Sequence, residues 1–377
     1  MRAVIVTSFD TYYQRISVIE HVLKIKNIEY QTYISDFSHV YKKKINPNGN
    51  RKCIKTFSYR KSISVRRFFS HYLFAQSINK ILKSEEYDLL YIIVPPNSLL
   101  KPAINLKNKG KIKKVIIDVQ DLWPESFPLK SRFFDFLFSI LIRRRNAYLA
   151  KSDFIITECN LYKEHLNILN KVSTQTVYLA KNHDVKMLPK KIEDIRKINF
   201  IYLGSINNII DIDLITNSIS KINTVISCKL IIVGDGENRL KFIESLKSRN
   251  IEFDFIGYLF DKKKLDELFK KSHFGINMYK THLKIGLTMK SVDYFYQSLP
   301  ILNNIPGDTW SLIEHYDCGF NVNNGKIDDL LLYFKNLTFE KYRLYSENSY
   351  RAYIDNFDLT KITSQISSIV DEVFNEK

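Results

Sequence analysis

Residues 112–126 read IKKVIIDVQDLWPES. Val115, Ile116 and Ile117 are consecutive and β-branched, the pattern of a strand buried on both faces. Asp118, Gln120, Asp121 and Glu125 then arrive together, with Trp123-Pro124 between them. A strand that is apolar up to an abruptly polar end suits a parallel sheet. There the strand ends face a ligand crevice rather than a core.

The same form recurs outward from this stretch. In the first half, strands are read at Ala3–Thr7, Tyr30–Ile34, Leu89–Val94, Val115–Asp118 and Asp153–Thr157. Helical spacing is read at Tyr12–Lys26, Val65–Lys83, Ser98–Lys109 and Ser131–Ala150. A basic segment from Tyr41 to Arg67 carries the turn Pro47-Asn48-Gly49-Asn50. The second half repeats the alternation, with strands at Phe200–Leu203, Lys229–Val233, Phe253–Ile256, Phe274–Asn277 and Pro300–Leu302. Its helices are read near Asp211–Ile222, Asn238–Lys247, Lys262–Lys270 and Thr288–Tyr296, with a last one at Leu359–Phe374. Apolar strands alternating with helices predict two doubly wound α/β domains. The divisions expected are 1–182, 183–358 and a final helix over 359–377 that packs back on the first domain. The linker is placed near residues 181–197, where the chain is polar and strandless.

The chain has 377 residues, too many for one ordinary core, and its 45% hydrophobic content argues against disorder. The formal charge is +17, all of it in residues 1–182, where 31 Lys and Arg stand against 14 Asp and Glu. Residues 183–377 carry 26 of each. A basic half beside a neutral half suggests two kinds of partner, with nucleic acid, anionic lipid and phosphate-bearing substrates as candidates for the first. A solvated lysine-rich surface is the plainer reading. No zinc finger, recognition helix or basic-aromatic sheet motif supports nucleic acid. Neither the four cysteines nor the eight histidines show metal-ligand or disulfide spacing. No apolar run approaches the ~18 residues of a membrane span, and MRAVIVTSFD turns polar too soon for a signal peptide. A cytoplasmic setting is expected. The run Phe133–Arg145 is read as a buried core helix, with a membrane-surface contact as the alternative; Arg66-Arg67-Phe68-Phe69 mixes cations and aromatics in the same way.

Three strands of the second half end in glycine: IYLGSI (201–206), IIVGDGENR (231–239) and FIGYL (255–259). Glycine permits a sharp turn and close approach of a ligand, so Gly204, Ser205, Gly234, Gly257 and Tyr258 are candidate donor contacts. No GxGxxG or Walker motif is present, and Thr7-Ser8-Phe9-Asp10 follows the first strand, which argues against a nicotinamide or flavin site. In IGLTMKSVDYFYQSLPIL (285–302), a loop runs into a helix beginning near Thr288. Amides around Gly286, Leu287, Thr288 and Met289 face a phosphate in this reading, and Lys290 adds a charge. Asp293 is placed to accept from a ribose diol. Asp211-Ile-Asp213 looks like a metal-binding pair but is read as helix capping.

Taken together these motifs resemble family 4 glycosyltransferases of the GT-B fold. The likeness rests on Lys290-x-x-Asp293-Tyr294, the Ser298-Leu299-Pro300 turn, GDTWSLIEHYDCGFNV (307–322), and DVQDLWPES, which is similar to a motif of bacterial enzymes that build surface polysaccharides. The resemblance implies two facing Rossmann-like domains with an interdomain cleft. It implies retaining, metal-independent sugar transfer from a nucleotide diphosphate sugar, with no cofactor. It also implies a lipid-pyrophosphate-linked or oligosaccharide acceptor at an anionic membrane surface, for a peripheral protein on the inner face of the cell membrane. Asp293 matches the second acid of the family's pair; Ile285 stands where the first belongs, and Gln120 where a histidine often lies. Gln120 and Asp121 are expected to reach the cleft, with Trp123 walling the acceptor. The basic residues usual after the first strand of the second domain are replaced by Gly204-Ser205-Ile206-Asn207-Asn208. The alternatives are a non-catalytic GT-B subunit partnering an active transferase and a sugar-nucleotide epimerase.

Overall fold

The computed structural model describes residues 1–46, 50–60, 64–127, 131–166, 171–181, 194–281, 285–323 and 327–375. Residues 47–49 of the expected turn, 182–193 of the expected linker and 282–284 of the loop before Thr288 lie outside that set. The chain divides into two compact units, Met1–Lys181 with Leu359–Lys377, and Asn182–Asp358.

In the first unit, β1 (Arg2–Thr7), β2 (Glu29–Ser35), β3 (Arg51–Ile54), β4 (Tyr87–Val94), β5 (Ile112–Val119), β6 (Phe154–Thr157) and β7 (Ser173–Thr176) form one sheet. Its order is β3-β2-β1-β4-β5-β6-β7, and every pairing is parallel. The helices are α1 (Tyr13–Ile25), α2 (Val65–Leu82), α3 (Leu100–Asn108), α4 (Arg132–Leu149) and α5 (Asn160–Leu166). Successive β1 side chains go to opposite faces, as the two-residue period requires. Val4 and Val6 join a core with Phe74 and Ile78 of α2, and Ala3 and Ile5 join one with Ile16 and Ile19 of α1.

In the second unit, β8 (Lys197–Leu203), β9 (Ser227–Val233), β10 (Glu252–Gly257), β11 (Phe274–Asn277), β12 (Ile301–Asn303) and β13 (Gly319–Asn321) pair in the order β10-β9-β8-β11-β12-β13, all parallel. Its helices are α6 (Ile212–Ile222), α7 (Arg239–Ser248), α8 (Lys262–Lys271), α9 (Met289–Tyr296), α10 (Asp308–Tyr316), α11 (Ile327–Lys335) and α12 (Phe339–Phe357). α12 holds the turn after α9, where Ser346 and Ser349 donate to the carbonyls of Ser298 and Leu299 at 2.7 and 2.8 Å. The last helix, α13 (Leu359–Asn375), belongs to the first unit. Its buried stripe of Ile362, Ile366, Ile369, Val370 and Val373 packs with α1 against the sheet.

The sheet order reverses between β1 and β4 in one unit and between β8 and β11 in the other. Adjacent strands there send their connections to opposite faces, which opens a crevice at their C-terminal ends.

The core-helix expectation is overturned. The run Phe133–Arg145 lies in α4, which is not a core helix. Phe136, Leu137, Ile140 and Leu141 are 68%, 38%, 38% and 41% exposed. The helix touches the core through its last turns, where Leu149 is buried and Arg145 forks onto Glu125 at 2.7 and 2.8 Å. Apolar content made the segment look internal, but its apolar stripe faces outward.

Candidate functional site

The crevice between the ends of β8 and β11 holds a cavity of about 360 Å³. Gly204 and Ser205 line it where β8 ends, and Tyr279 lines it just past β11. Thr288, Met289, Lys290 and Asp293 line it from the start of α9. Thr288 caps α9, its hydroxyl accepting from the Ser291 amide at 3.2 Å and donating to Asn277 Oδ1 at 3.1 Å. The first-turn amides of Met289 and Lys290 have no intrahelical acceptor, as at any helix start, so they and the helix dipole favour an anion.

Lys290 is the charged group of this cavity whose setting is most unusual. It is 9% exposed. Its ammonium lies 4.3 Å from the ring centroid of Tyr202 and 4.8 Å from that of Tyr279. Among the described residues no carboxylate pairs with it. Burial alone lowers its pKa from 10.5 to about 7. The ammonium also stands beside Gly204, 3.7 Å from where a Cβ on that residue would be. A positive charge thus stands at the end of β8, contributed from α9.

The three strand-end glycines divide. Gly204 borders the cavity. Gly234 does not; it has φ 137°, and a Cβ there would sit 1.9 Å from the Gly204 carbonyl oxygen, so backbone contact alone requires glycine. Its amide donates to the Gly257 carbonyl at 2.8 Å. Gly257 and Tyr258 also lie outside the cavity lining, with Tyr258 64% exposed and stacked on Phe260. Gly286 and Leu287 lead into α9, and the Gly286 carbonyl is fixed by the Thr309 amide at 2.9 Å. Asp211 caps α6, accepting from the Leu214 amide at 2.9 Å, while Asp213 lies 3.7 Å from Lys241. Among the described residues no cluster of acids, histidines or cysteines could hold a metal ion.

In the first unit the polar end of β5 proves largely structural. Asp118 is fully buried, bridged to Arg15 of α1 at 2.7 Å and accepting from the Tyr91 hydroxyl at 2.7 Å. Arg15 also donates to the carbonyls of Val177 and Tyr178 at 2.8 and 3.1 Å. Gln120 does not reach outward as expected. It is 3% exposed, its amide donates inward to Asp118, and its own oxygen is buried with no partner among the described residues. Asp121 is half-buried, and burial raises its pKa above the ordinary carboxylate value, opposed by hydrogen bonds such as that from the Trp123 indole at 2.7 Å. Trp123 packs in an aromatic cluster over Arg67, whose guanidinium lies 4.4 Å from its ring. His71 joins that cluster with its pKa lowered to about 3, by burial first and by Arg67 second.

Sequence reasoning missed Tyr202 and Tyr279. Tyr202 reads as a strand residue and Tyr279 as the start of a loop, and only the fold turns them onto one ammonium. Their position, in β8 and just past β11 on either side of a switch point, is the signal that was available.

No family model matches the chain, and no curated protein sequence does. Among solved structures it is similar to sucrose-phosphate synthase from Thermosynechococcus elongatus, at a TM-score of 0.72 and 12% identity, with all of both chains covered. It is similar to HepE from Anabaena in complex with UDP, at 0.68 and 12%, covering 98% of this chain and 99% of that one. It is also similar to the lipopolysaccharide outer core galactosyltransferase WaaB, at 0.61 and 15%, covering 94% and 99%. Likeness at such low identity speaks to architecture: this chain has the GT-B fold shared by these glycosyltransferases.

Proposed function

We propose that this protein is a glycosyltransferase that uses a nucleoside diphosphate sugar, and that the diphosphate binds in the β8–β11 crevice. The observation that carries this reading is Lys290, a buried ammonium without an acid partner among the described residues, beside a strand-end glycine and a helix N-terminus. An uncompensated buried charge weakens a fold, and an anionic ligand that supplies the counter-charge gives it a use. The HepE structures with UDP and with UDP-glucose support the choice of ligand.

In the reaction the bond from the sugar's anomeric carbon to the β-phosphate oxygen breaks, the acceptor hydroxyl oxygen forms a new one, and the hydroxyl proton passes to the departing diphosphate. The nucleoside diphosphate leaves with the electron pair. Lys290 and the α9 amides stabilise that developing negative charge without calling on a metal. Asp293 takes the ribose hydroxyls. The finer reading is retaining transfer of the family 4 type. Its acceptor is a lipid-pyrophosphate-linked or growing oligosaccharide of a surface polysaccharide, and the protein is peripheral on the inner face of the membrane. WaaB, a lipopolysaccharide galactosyltransferase, supports the acceptor class.

A second reading, a non-catalytic partner of an active transferase, is favoured by Gln120, which is turned inward onto Asp118. Turnover separates the two. Nucleoside diphosphate release is followed with UDP-, GDP-, dTDP- and ADP-sugars in the presence of a lipid-linked oligosaccharide fraction. Lys290→Ala and Asp293→Ala are each expected to lower kcat/KM by about 100-fold or more. Full turnover by both variants contradicts the assigned roles. Absence of turnover in a folded protein that binds a diphosphate selects the second reading.

A further inference from the structure

A surface of the first unit is apolar where a water-facing surface ordinarily is not. On α2, Val65, Phe68, Phe69 and Tyr72 follow helical i, i+3, i+4, i+7 spacing and are 85%, 44%, 51% and 52% exposed. On α4, Phe136, Leu137, Ile140 and Leu141 form a second exposed stripe. The two are joined. Phe68 and Tyr72 of α2 and Leu141 and Arg144 of α4 line one pocket of about 410 Å³. Phe127 bridges them, with ring centroids 5.9 Å from Phe68 and 6.0 Å from Phe138. Phe57 extends the patch by stacking on Phe69 at 5.8 Å. Contiguous exposed apolar surface of this kind marks an interaction site.

The rim of the patch fixes the sign of the partner. Arg66 on α2 and Arg132, Arg143 and Arg144 on α4 are all exposed, and Asp135 is the one acid within α2 and α4. Two such faces repel one another, which disfavours a second copy of this chain. Aromatic and aliphatic stripes ringed by arginines complement a surface that is anionic at its headgroups and apolar beneath them. Among the described residues no helix is long and apolar enough to cross a membrane, so the contact is one of lying on the surface.

We propose that the α2–α4 face docks this protein on an anionic lipid bilayer, with the aromatic stripes in the interface and the arginines at the headgroups. The assignment deepens the membrane part of the proposed function by naming its surface, and it is independent of the donor site.

The test is flotation with phosphatidylcholine vesicles with and without about 30% phosphatidylglycerol, at low and high salt. Wild type is compared with Phe136→Ser/Leu137→Ser and with Arg143→Gln/Arg144→Gln. All four positions are exposed, and a melting curve confirms each fold. Wild type is expected to float only with the anionic vesicles. Either double variant is expected to weaken binding by about tenfold or more, and added salt to weaken the wild type. No binding to anionic vesicles, or binding by both variants as strong as that of wild type, overturns the proposal. A wild-type dimer that Phe136→Ser/Leu137→Ser dissociates overturns it in favour of a second copy. Nucleotide binding measured on the same preparations keeps a failure here distinct from a failure of the donor-site reading.

Discussion

Lys290 lowers stability in the free protein because, among the described residues, no acid offsets its charge, and its burial against two tyrosine rings still depresses its pKa. A pKa depressed from 10.5 to about 7 corresponds to at most roughly 5 kcal/mol. The sign follows from proton counting. Between about pH 7 and pH 10.5 the unfolded chain binds more protons at this site than the folded one. Stability from this group therefore rises with pH through that window and is lowest below pH 7. Lys290→Met is expected to stabilise the free protein by about 1–3 kcal/mol at pH 6, with the gain gone near pH 10. Thermal melts of the two proteins across pH check this. Arg15 is the opposite case, since its charge is matched inside the protein. Among the described residues, Arg15→Leu leaves Asp118 buried with Tyr91 and Gln120 as donors, and a loss of about 3–5 kcal/mol is expected in urea unfolding.

At the scale of elements, interior strands were legible, as was the edge strand β10, whose Phe253, Phe255 and Ile256 announce it, but the other three edge strands were not. β5 and β9 are buried on both faces and read as apolar runs. β3, β7 and β13 have one neighbour each, are short and are rich in Arg, Lys, Ser, Thr or Asn, so nothing in their residues announces a strand. α9 and its Lys290 and Asp293 were legible because a capping Thr288 precedes them. The two tyrosines around Lys290 were not, because their meeting depends on which strands become neighbours. Asp118 and Gln120 misled for the same reason: a polar strand end is the same string whether it serves a ligand or a buried arginine 103 residues away. α4 was misread because composition does not say which side of a helix finds the core. α13 shows long-range packing of another kind, since it closes a sheet formed by the first 181 residues. Ile366→Asp buries a charge in that core. It is expected to unfold the first unit at 37 °C, or to lower its melting point by 10 °C or more (about 3 kcal/mol or above), read by circular dichroism.

At the scale of the whole molecule, chemistry and charge are divided between the units. The neutral half carries the crevice with its buried ammonium, and the basic half carries the apolar, arginine-rimmed face. This division suits a protein that takes a small anionic donor from solution and meets its acceptor at a charged surface. The central claim is that Lys290 receives a nucleoside diphosphate. Titration calorimetry of UDP, GDP, dTDP and ADP against wild type and Lys290→Met, at pH 7.0 and 8.5, tests it most directly. One diphosphate is expected to bind wild type, with affinity about tenfold weaker at pH 8.5 as the ammonium loses its proton, and to bind Lys290→Met at least tenfold more weakly at pH 7.0. Equal affinity for both proteins, or no binding by a wild-type protein that melts cooperatively, contradicts it.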